Sequence, residues 1–118
     1  MSSRTVRITI RGAFAALTAD QRADLLAHAA EHDVAFAAYT AEGSLTYDIA
    51  ARPFFTFRFA EIVDSAEDIP AATARAEAAA ATYLDAHGYG YTNLTAQAVD
   101  MSEIPLGSRG RREAARRA

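Results

Sequence analysis

The sequence feature that most constrains the fold is a run of four phenylalanines within the six residues from Phe54 to Phe59, interrupted by one threonine and one arginine. Aromatic side chains favour the pleated surface of a β-strand, where successive side chains point to opposite faces. Phe55, Phe57 and Phe59 would then share one face, while Phe54 and Arg58 lie on the other. The run predicts a central strand with an apolar face and a second face that carries a cation.

The length of 118 residues is that of one ordinary domain, long enough to bury about two thirds of its unfolded surface. Cysteine is absent, which excludes disulfides, thiolate metal ligands and a cysteine nucleophile. No stretch approaches the roughly 20 apolar residues of a membrane helix. The residues Met1 to Arg4 do not open a charged-then-apolar export signal, so we expect a cytoplasmic protein.

Charge is distributed unevenly along the chain. Residues 1–106 hold seven arginines against fourteen acids, whereas residues 107–118 hold five arginines and one glutamate. We expect 1–106 to form a single acidic domain and 107–118 to be a basic tail that is disordered or becomes ordered only on a partner.

Hydrophobic periodicity divides the domain into alternating strands and helices. A capping box at Thr18 and Gln21 predicts the start of the first helix, and Gly88 suits the left-handed position just past the second. The predicted elements are a strand from Thr5 to Arg11, a helix from Thr18 to about Glu31, a hairpin of Val34 to Thr40 and Ser44 to Ala50, the aromatic strand Phe54 to Ile62, an alanine-rich helix to about Ala86, and a strand from Tyr91 to Val99.

This order predicts an α+β fold of the ferredoxin-like, split β-α-β kind, with a single sheet of four to five strands and two helices on one face. The number of strands depends on whether residues 44–62 form one bent strand or two. Pro53 favours two strands, because proline cannot donate to a central ladder.

Seven short segments of the sequence are informative as a set: Arg11-Gly12, Leu17 to Arg22, Glu31 to Asp33, Leu45 to Asp48, Arg52 to Phe59, Gly88 to Tyr91, and Leu106-Gly107. Together they resemble a family of small, uncharacterised actinobacterial proteins known as a domain of unknown function. The resemblance spans most of the chain and implies a bacterial cytoplasmic protein, without an activity to transfer.

The best candidate site is a pocket formed by rings and guanidiniums around the aromatic strand. Such a pocket could bind a planar or carboxylate-bearing small molecule. Alternatively, the arginines could simply pair with Asp48 or stack on a ring within the fold. The proposed ligand-binding residues are Tyr47, Asp48, Arg52, Phe54, Arg58 and Tyr91.

Two further motifs carry residues capable of chemistry. His28 and His32 have the spacing at which two helical imidazoles can meet one metal ion, but no third ligand is evident, and helix-end histidines in solvent explain them better. Gly88-Tyr89-Gly90 follows a helix rather than joining a strand to a helix, so it does not indicate a nucleotide site. We therefore expect neither a metal nor a cofactor.

The resulting hypothesis is a non-catalytic small-molecule-binding or assembly protein that uses the aromatic and arginine surface. One alternative is a small enzyme that transfers protons in the same pocket through Asp48 or Tyr91. Another is an adaptor that binds RNA or an acidic partner through the tail, although an acidic domain without a basic sheet face argues against nucleic acid as a partner. We expect a homodimer formed through the sheet face or an edge strand.

Overall fold

The computed structural model describes residues 3–101, and they form a mixed α/β fold with one four-stranded antiparallel sheet and two α-helices. The predicted tail lies outside the described residues. The elements are β1 (Arg4–Ala15), α1 (Ala19–Ala27), β2 (Ser44–Tyr47), β3 (Phe54–Val63), α2 (Ile69–Ala86) and β4 (Gly90–Asp100), with short 3₁₀ turns at Ala29–His32, Val34–Phe36 and Ala66–Asp68.

The strand order across the sheet is β2-β3-β1-β4. β3, which contains the phenylalanine run, lies in the interior beside β1, with Ile8 opposite Phe59 and Ile10 opposite Phe57. The prediction of a central aromatic strand is therefore confirmed, because β1 and β2 pair with its two edges.

The predicted strand from Val34 to Thr40 is wrong. Val34–Phe36 form a 3₁₀ turn, which the Asp33 carboxylate caps by accepting from the amide of Ala35 at 2.8 Å, and Thr40 makes only an isolated bridge to Phe59. The alternating apolar pattern has no surface to pack on, since the side chains of Val34 and Phe36 are 67% and 71% exposed. Residues 44–62 accordingly contribute two strands, and the sheet has four.

The first helix ends earlier than predicted. Its capping box is present, with the Gln21 amide donating to Thr18 Oγ1 at 3.1 Å and the Thr18 amide donating to Gln21 Oε1 at 2.9 Å. The helix then gives way after Ala27 to the 3₁₀ turn Ala29–His32. The second helix ends at Ala86 as predicted, and Gly88 adopts a φ of 71°.

The core lies between the helices and one face of the sheet. Strand side chains at alternate positions and small residues of α2 fill it, and the small residues let the helix approach the phenylalanine rings closely. Its largest fully buried side chains are Phe55, Ile8, Ile10, Ile49, Leu84 and Val6, and the buried alanines are Ala72, Ala76 and Ala80.

One irregularity shapes the outer edge strand β4. The register between β1 and β4 shifts between Arg11 and Ala13, which lie opposite Thr95 and Thr92, so β4 carries one extra residue there. Asn93 takes the left-handed conformation with a φ of 57°, as expected at a β-bulge. The bulge lies next to Ala13 of β1, whose neighbour on the other side is Phe54 at the start of β3.

Candidate functional site

The six residues predicted to form a site lie in different parts of the fold. Tyr47 is buried on the helix-covered face, whereas Phe54 and Arg58 lie on the opposite, open face. Asp48 and Arg52 are exposed in the turn between β2 and β3, where the Arg52 amide donates to the Asp48 carbonyl at 2.8 Å.

Three of these six residues nevertheless line one depression at the edge of the sheet. Tyr47, Asp48 and Arg58 line a depression of about 350 Å³ beside β2. Phe54 lines a separate depression of about 310 Å³ near β4. The sixth residue, Tyr91, is half-buried at the start of β4, opposite Phe14.

A different cavity, of about 200 Å³, gathers the titratable and aromatic side chains where the ends of α1 and α2 meet the sheet. All three histidines of the chain line it, together with three of the five tyrosines. We call it the histidine–tyrosine cavity; it is lined by Asp24, Leu25, His28, Glu31, His32, Tyr47, Tyr83, His87 and Tyr89.

Helix termini position the histidines. His28 caps the C-terminus of α1, His87 caps that of α2, and His32 closes the 3₁₀ turn that follows α1. Because α1 ends at Ala27, His32 is carried toward the sheet, where its ring stacks on that of Tyr47 with centroids 5.2 Å apart.

Each imidazole is held through the same nitrogen. Nδ1 lies 2.9 Å from a backbone carbonyl oxygen in every ring: that of Asp24 for His28, Leu45 for His32 and Tyr83 for His87. A carbonyl can only accept, so Nδ1 must carry the hydrogen, and Nε2 is left as the acceptor of a neutral ring. No Nε2 has a hydrogen-bond partner among residues 3–101.

Two tyrosine hydroxyls are fixed as donors. Tyr47 donates to the carbonyl of Leu25 and Tyr89 donates to Oδ2 of Asp24, both at 2.6 Å. Burial raises the pKa of Tyr47 to about 12. Burial, and then the hydrogen bond to Asp24, raise the pKa of Tyr89 well above its usual value. Both phenols therefore stay protonated at neutral pH.

Tyr83 completes the aromatic wall. Its ring stacks on His87 with centroids 4.2 Å apart, and His87 in turn stacks on Tyr89 at 5.6 Å. Burial raises the pKa of Tyr83, and its hydroxyl has no hydrogen-bond partner within the described part of the chain. It is consequently a donor available to a ligand.

Carboxylates supply the negative charge of the cavity. Asp24 Oδ1 lies 3.6 Å from Nδ1 of His28, and the hydrogen bond to the Asp24 backbone, followed by the charge of its carboxylate, raises the pKa of His28. Within residues 3–101, no three histidine or acidic side chains are arranged to hold a metal ion.

Sequence reasoning missed this cavity because it treated His28 and His32 as helix-end residues and gave His87 no role. The available signal was weak: each α-helix ends at a histidine, and Tyr83 precedes His87 by one helical turn. Neither feature indicates that the two helix ends meet.

Fold and site together define a small α+β domain with a polar, aromatic-walled cavity at the ends of its two helices. None of the described helices is both long and apolar enough to cross a bilayer. Residues 1–112 match the family of unknown function DUF6204, and the chain belongs to this family. No curated protein and no solved structure matches the chain.

Proposed function

We propose that this protein is a non-catalytic small-molecule-binding domain whose ligand occupies the histidine–tyrosine cavity. The observation that carries the proposal is the convergence of all three histidines on one cavity, each with Nδ1 fixed and Nε2 available. At about 30 Å³ per water in the liquid, a volume of about 200 Å³ suits a small metabolite.

The chemistry of the lining defines the ligand class. Neutral Nε2 atoms accept hydrogen bonds, the Tyr83 hydroxyl can donate one, and the carboxylates of Asp24 and Glu31 disfavour an anion. Stacked imidazole and phenol rings offer an apolar wall. A small neutral or cationic molecule bearing hydroxyl or amine groups meets all of these conditions.

Binding is tested by titrating the full chain with ethanolamine and with glycerol at a pH of about 8, where imidazoles are ordinarily neutral. Histidine chemical shifts should move saturably for at least one probe. Tyr83→Phe, which removes a single hydroxyl from the cavity, should weaken binding, whereas Tyr91→Phe outside it should not. Native mass spectrometry of the freshly purified protein should show a retained mass that His87→Ala loses. An absence of both effects would reject the proposal.

A second candidate function is proton-transfer catalysis in the same cavity. It is favoured by the pairing of Tyr83, whose hydroxyl is unbonded among the described residues, with the adjacent imidazole of His87. Asp48, the acid suggested by the sequence, is exposed and therefore lacks the burial that was the reason for choosing it. Catalysis would appear as turnover of a bound ligand that His87→Gln abolishes while binding persists.

The surface predicted from Tyr47, Arg52, Phe54 and Arg58 stays a hypothesis, now without Arg52 and Phe54. Its support is the depression shared by Tyr47, Asp48 and Arg58. Arg58→Ala should release a ligand held there, and the retained mass in native mass spectrometry distinguishes this site from the cavity, which Arg58 does not line.

The β4 edge is a better candidate interface for the expected homodimer than the sheet face is. β4 is an eleven-residue edge strand, and its segment 90–99 contains no charged residue and no proline, two usual protections against pairing. The bulge at Asn93 interrupts only one end of it, so residues 95–99 offer a regular edge. Thr95→Lys would place a lysine near the centre of an antiparallel pair and should dissociate the dimer in light scattering. Thr82→Lys, the same substitution on the exposed side of α2, is the matched control. A monomeric wild type would reject the dimer.

The order β-α-β-β-α-β and the strand order β2-β3-β1-β4 support a ferredoxin-like plan, which we infer for the domain. The bacterial cytoplasmic origin implied by the resemblance stays a prediction. The adaptor hypothesis also stays a prediction, since it depends on residues 107–118, which lie outside the described residues.

A further inference from the structure

The open face of the sheet concentrates positive charge. Arg7, Arg11 and Arg58 all project from the side of β1 and β3 that no helix covers, because the buried residues of both strands occupy the alternate positions. None of the three pairs with a carboxylate among residues 3–101. The guanidinium of Arg11 has no internal partner at all in that range.

The register sets these arginines at close, regular spacing. Arg58 lies directly opposite Thr9, midway between Arg7 and Arg11 on the neighbouring strand. Diagonal neighbours in an antiparallel pair are about 7–8 Å apart, so Arg58 is close enough to act together with either arginine of β1. The three guanidiniums form a short basic track across the sheet. Tyr39 lies on part of it, with its ring 4.9 Å from the Arg7 guanidinium and its hydroxyl 3.2 Å from Thr9 Oγ1, and Arg58 donates to Thr46 Oγ1 at 2.7 Å.

Strand carboxylates are segregated to the other face. Glu61 and Asp100 both lie opposite Val6, whose side chain is fully buried under the helices. There Glu61 pairs with Arg75, and Asp100 pairs with Arg4 at 2.7 Å. The open face of the strands therefore carries cations without strand acids, although the domain as a whole is acidic.

An aromatic depression continues the basic track. Phe54 is 56% exposed and lines the depression of about 310 Å³ together with Arg11, Gly12, Ala13 and Asn93. Single-stranded nucleic acids stack their bases on exposed aromatic rings, and their phosphates contact nearby arginines. The Asn93 amide adds a group able to pair with a base edge.

We propose that the open sheet face binds single-stranded nucleic acid, with a base stacked on Phe54 and phosphates on Arg11, Arg58 and Arg7. An acidic peptide would use the arginines but would leave the exposed ring of Phe54 and the depression beside it unoccupied. Nucleic acid was not expected from the sequence because no basic sheet face was evident there, and the strand register supplies such a face.

The acidic remainder of the domain does not oppose this binding strongly. Salt at physiological strength screens charges beyond about 8 Å, so a ligand on the track senses chiefly the nearby arginines. Asp33 and Asp48 lie near Arg58 but on its β2 side, where they line the depression with Tyr47. The nucleic-acid strand is therefore expected to cross from Arg58 to Arg11 on β1, away from β2, and to continue to Phe54 at the end of β3.

The test is fluorescence anisotropy of a labelled oligothymidylate of about a dozen nucleotides with the full-length chain, over a range of salt concentrations. Arg11→Gln and Arg58→Gln should each reduce the slope of log affinity against log salt by about 0.7, the value for one lost single-strand phosphate contact. Phe54→Ala should weaken binding about five- to 150-fold with the slope unchanged, the range expected for one stacked base.

Two controls distinguish binding by the open sheet face from binding by other charged parts of the chain. Arg75→Gln removes an arginine that pairs with Glu61 on the helix side, and it should bind as the wild type does. The full chain retains the basic tail throughout, so a slope unaffected by Arg11→Gln and Arg58→Gln would assign binding to the tail and overturn the proposal. Absence of saturable binding at about 0.1 mM protein in low salt would also overturn it, as would equal competition by an oligoglutamate of matched charge.

Discussion

The hydroxyl of Tyr89 donates a 2.6 Å hydrogen bond to Oδ2 of Asp24, joining the loop before β4 to the middle of α1. The ring of Tyr89 is buried, while the Asp24 carboxylate remains half-exposed. This bond ties together the two helix ends that supply the histidines. Its strength therefore bears on both the stability of the domain and the shape of the cavity.

Tyr89→Phe should lower the free energy of unfolding by about 1 kcal/mol, because it removes one hydrogen bond to a charged group that solvent partly compensates. Urea denaturation measures the loss. Tyr91→Phe is the matched control, since the Tyr91 hydroxyl has no hydrogen-bond partner among the described residues, and it should change stability little. Equal effects of the two substitutions would show that the bond to Asp24 does not stabilise the domain.

Gly12→Ala should destabilise the core, because a Cβ at this position would lie 2.6 Å from Cζ of the Phe55 ring. Phe55 lies directly opposite on β3 and is almost fully buried, so the ring has little room to move. The expected loss is about 1–3 kcal/mol by thermal or urea unfolding.

Phe55→Leu is destabilising alone but removes the ring atom that the new methyl group meets. In the double variant, Gly12→Ala should therefore cost less than it does in the wild type. Additive effects would contradict steric contact as the reason for the glycine.

Alkaline pH should destabilise the domain through Tyr47. Its pKa is about 12 in the folded chain against an ordinary value of 10, so the folded state keeps the proton after the unfolded state has lost it. The free energy of unfolding should be independent of this group below pH 10 and should fall as pH rises from 10 to about 12. Tyr47→Phe should make that fall shallower but not abolish it, because burial also raises the pKa values of Tyr83 and Tyr89. Urea titrations at successive pH values measure the change, and an unchanged pH profile would contradict the assignment.

His28 should titrate above its ordinary value in an NMR pH titration, since the hydrogen bond to the Asp24 backbone and then the Asp24 carboxylate raise its pKa. Asp24→Asn removes the charge but keeps the backbone carbonyl. The pKa should then fall only part of the way toward the ordinary value. A complete return would mean that the carboxylate alone sets the shift, and no change would mean that it contributes nothing.

Much of the fold followed from patterns that are local in the chain. The period-two alternation placed Phe55, Phe57 and Phe59 on the buried face, and the capping box located the start of α1. The same alternation misidentified residues 34–40 as a strand, because a pattern of apolar and polar residues does not show whether a second surface exists to cover the apolar side.

The candidate site was far less predictable. Tyr47 was chosen from sequence for its place beside the aromatic strand, and it does line a cavity, but its neighbours there are His32 and Tyr83 rather than Arg52 or Phe54. Those neighbours come from separate elements, and their proximity depends on where α1 ends and how α2 crosses the sheet. Neither the end of α1 nor the path of α2 across the sheet can be deduced from residue spacing in the sequence.

The sequence by itself determined which residues of each strand face the core and which face outward, because side-chain direction along a strand alternates with every residue. Only the tertiary structure decided that the histidines of two helix ends share one cavity and that three arginines share one acid-free face of the strands. Both arrangements depend on strand order, register and helix packing, which are set by contacts between residues distant in the chain.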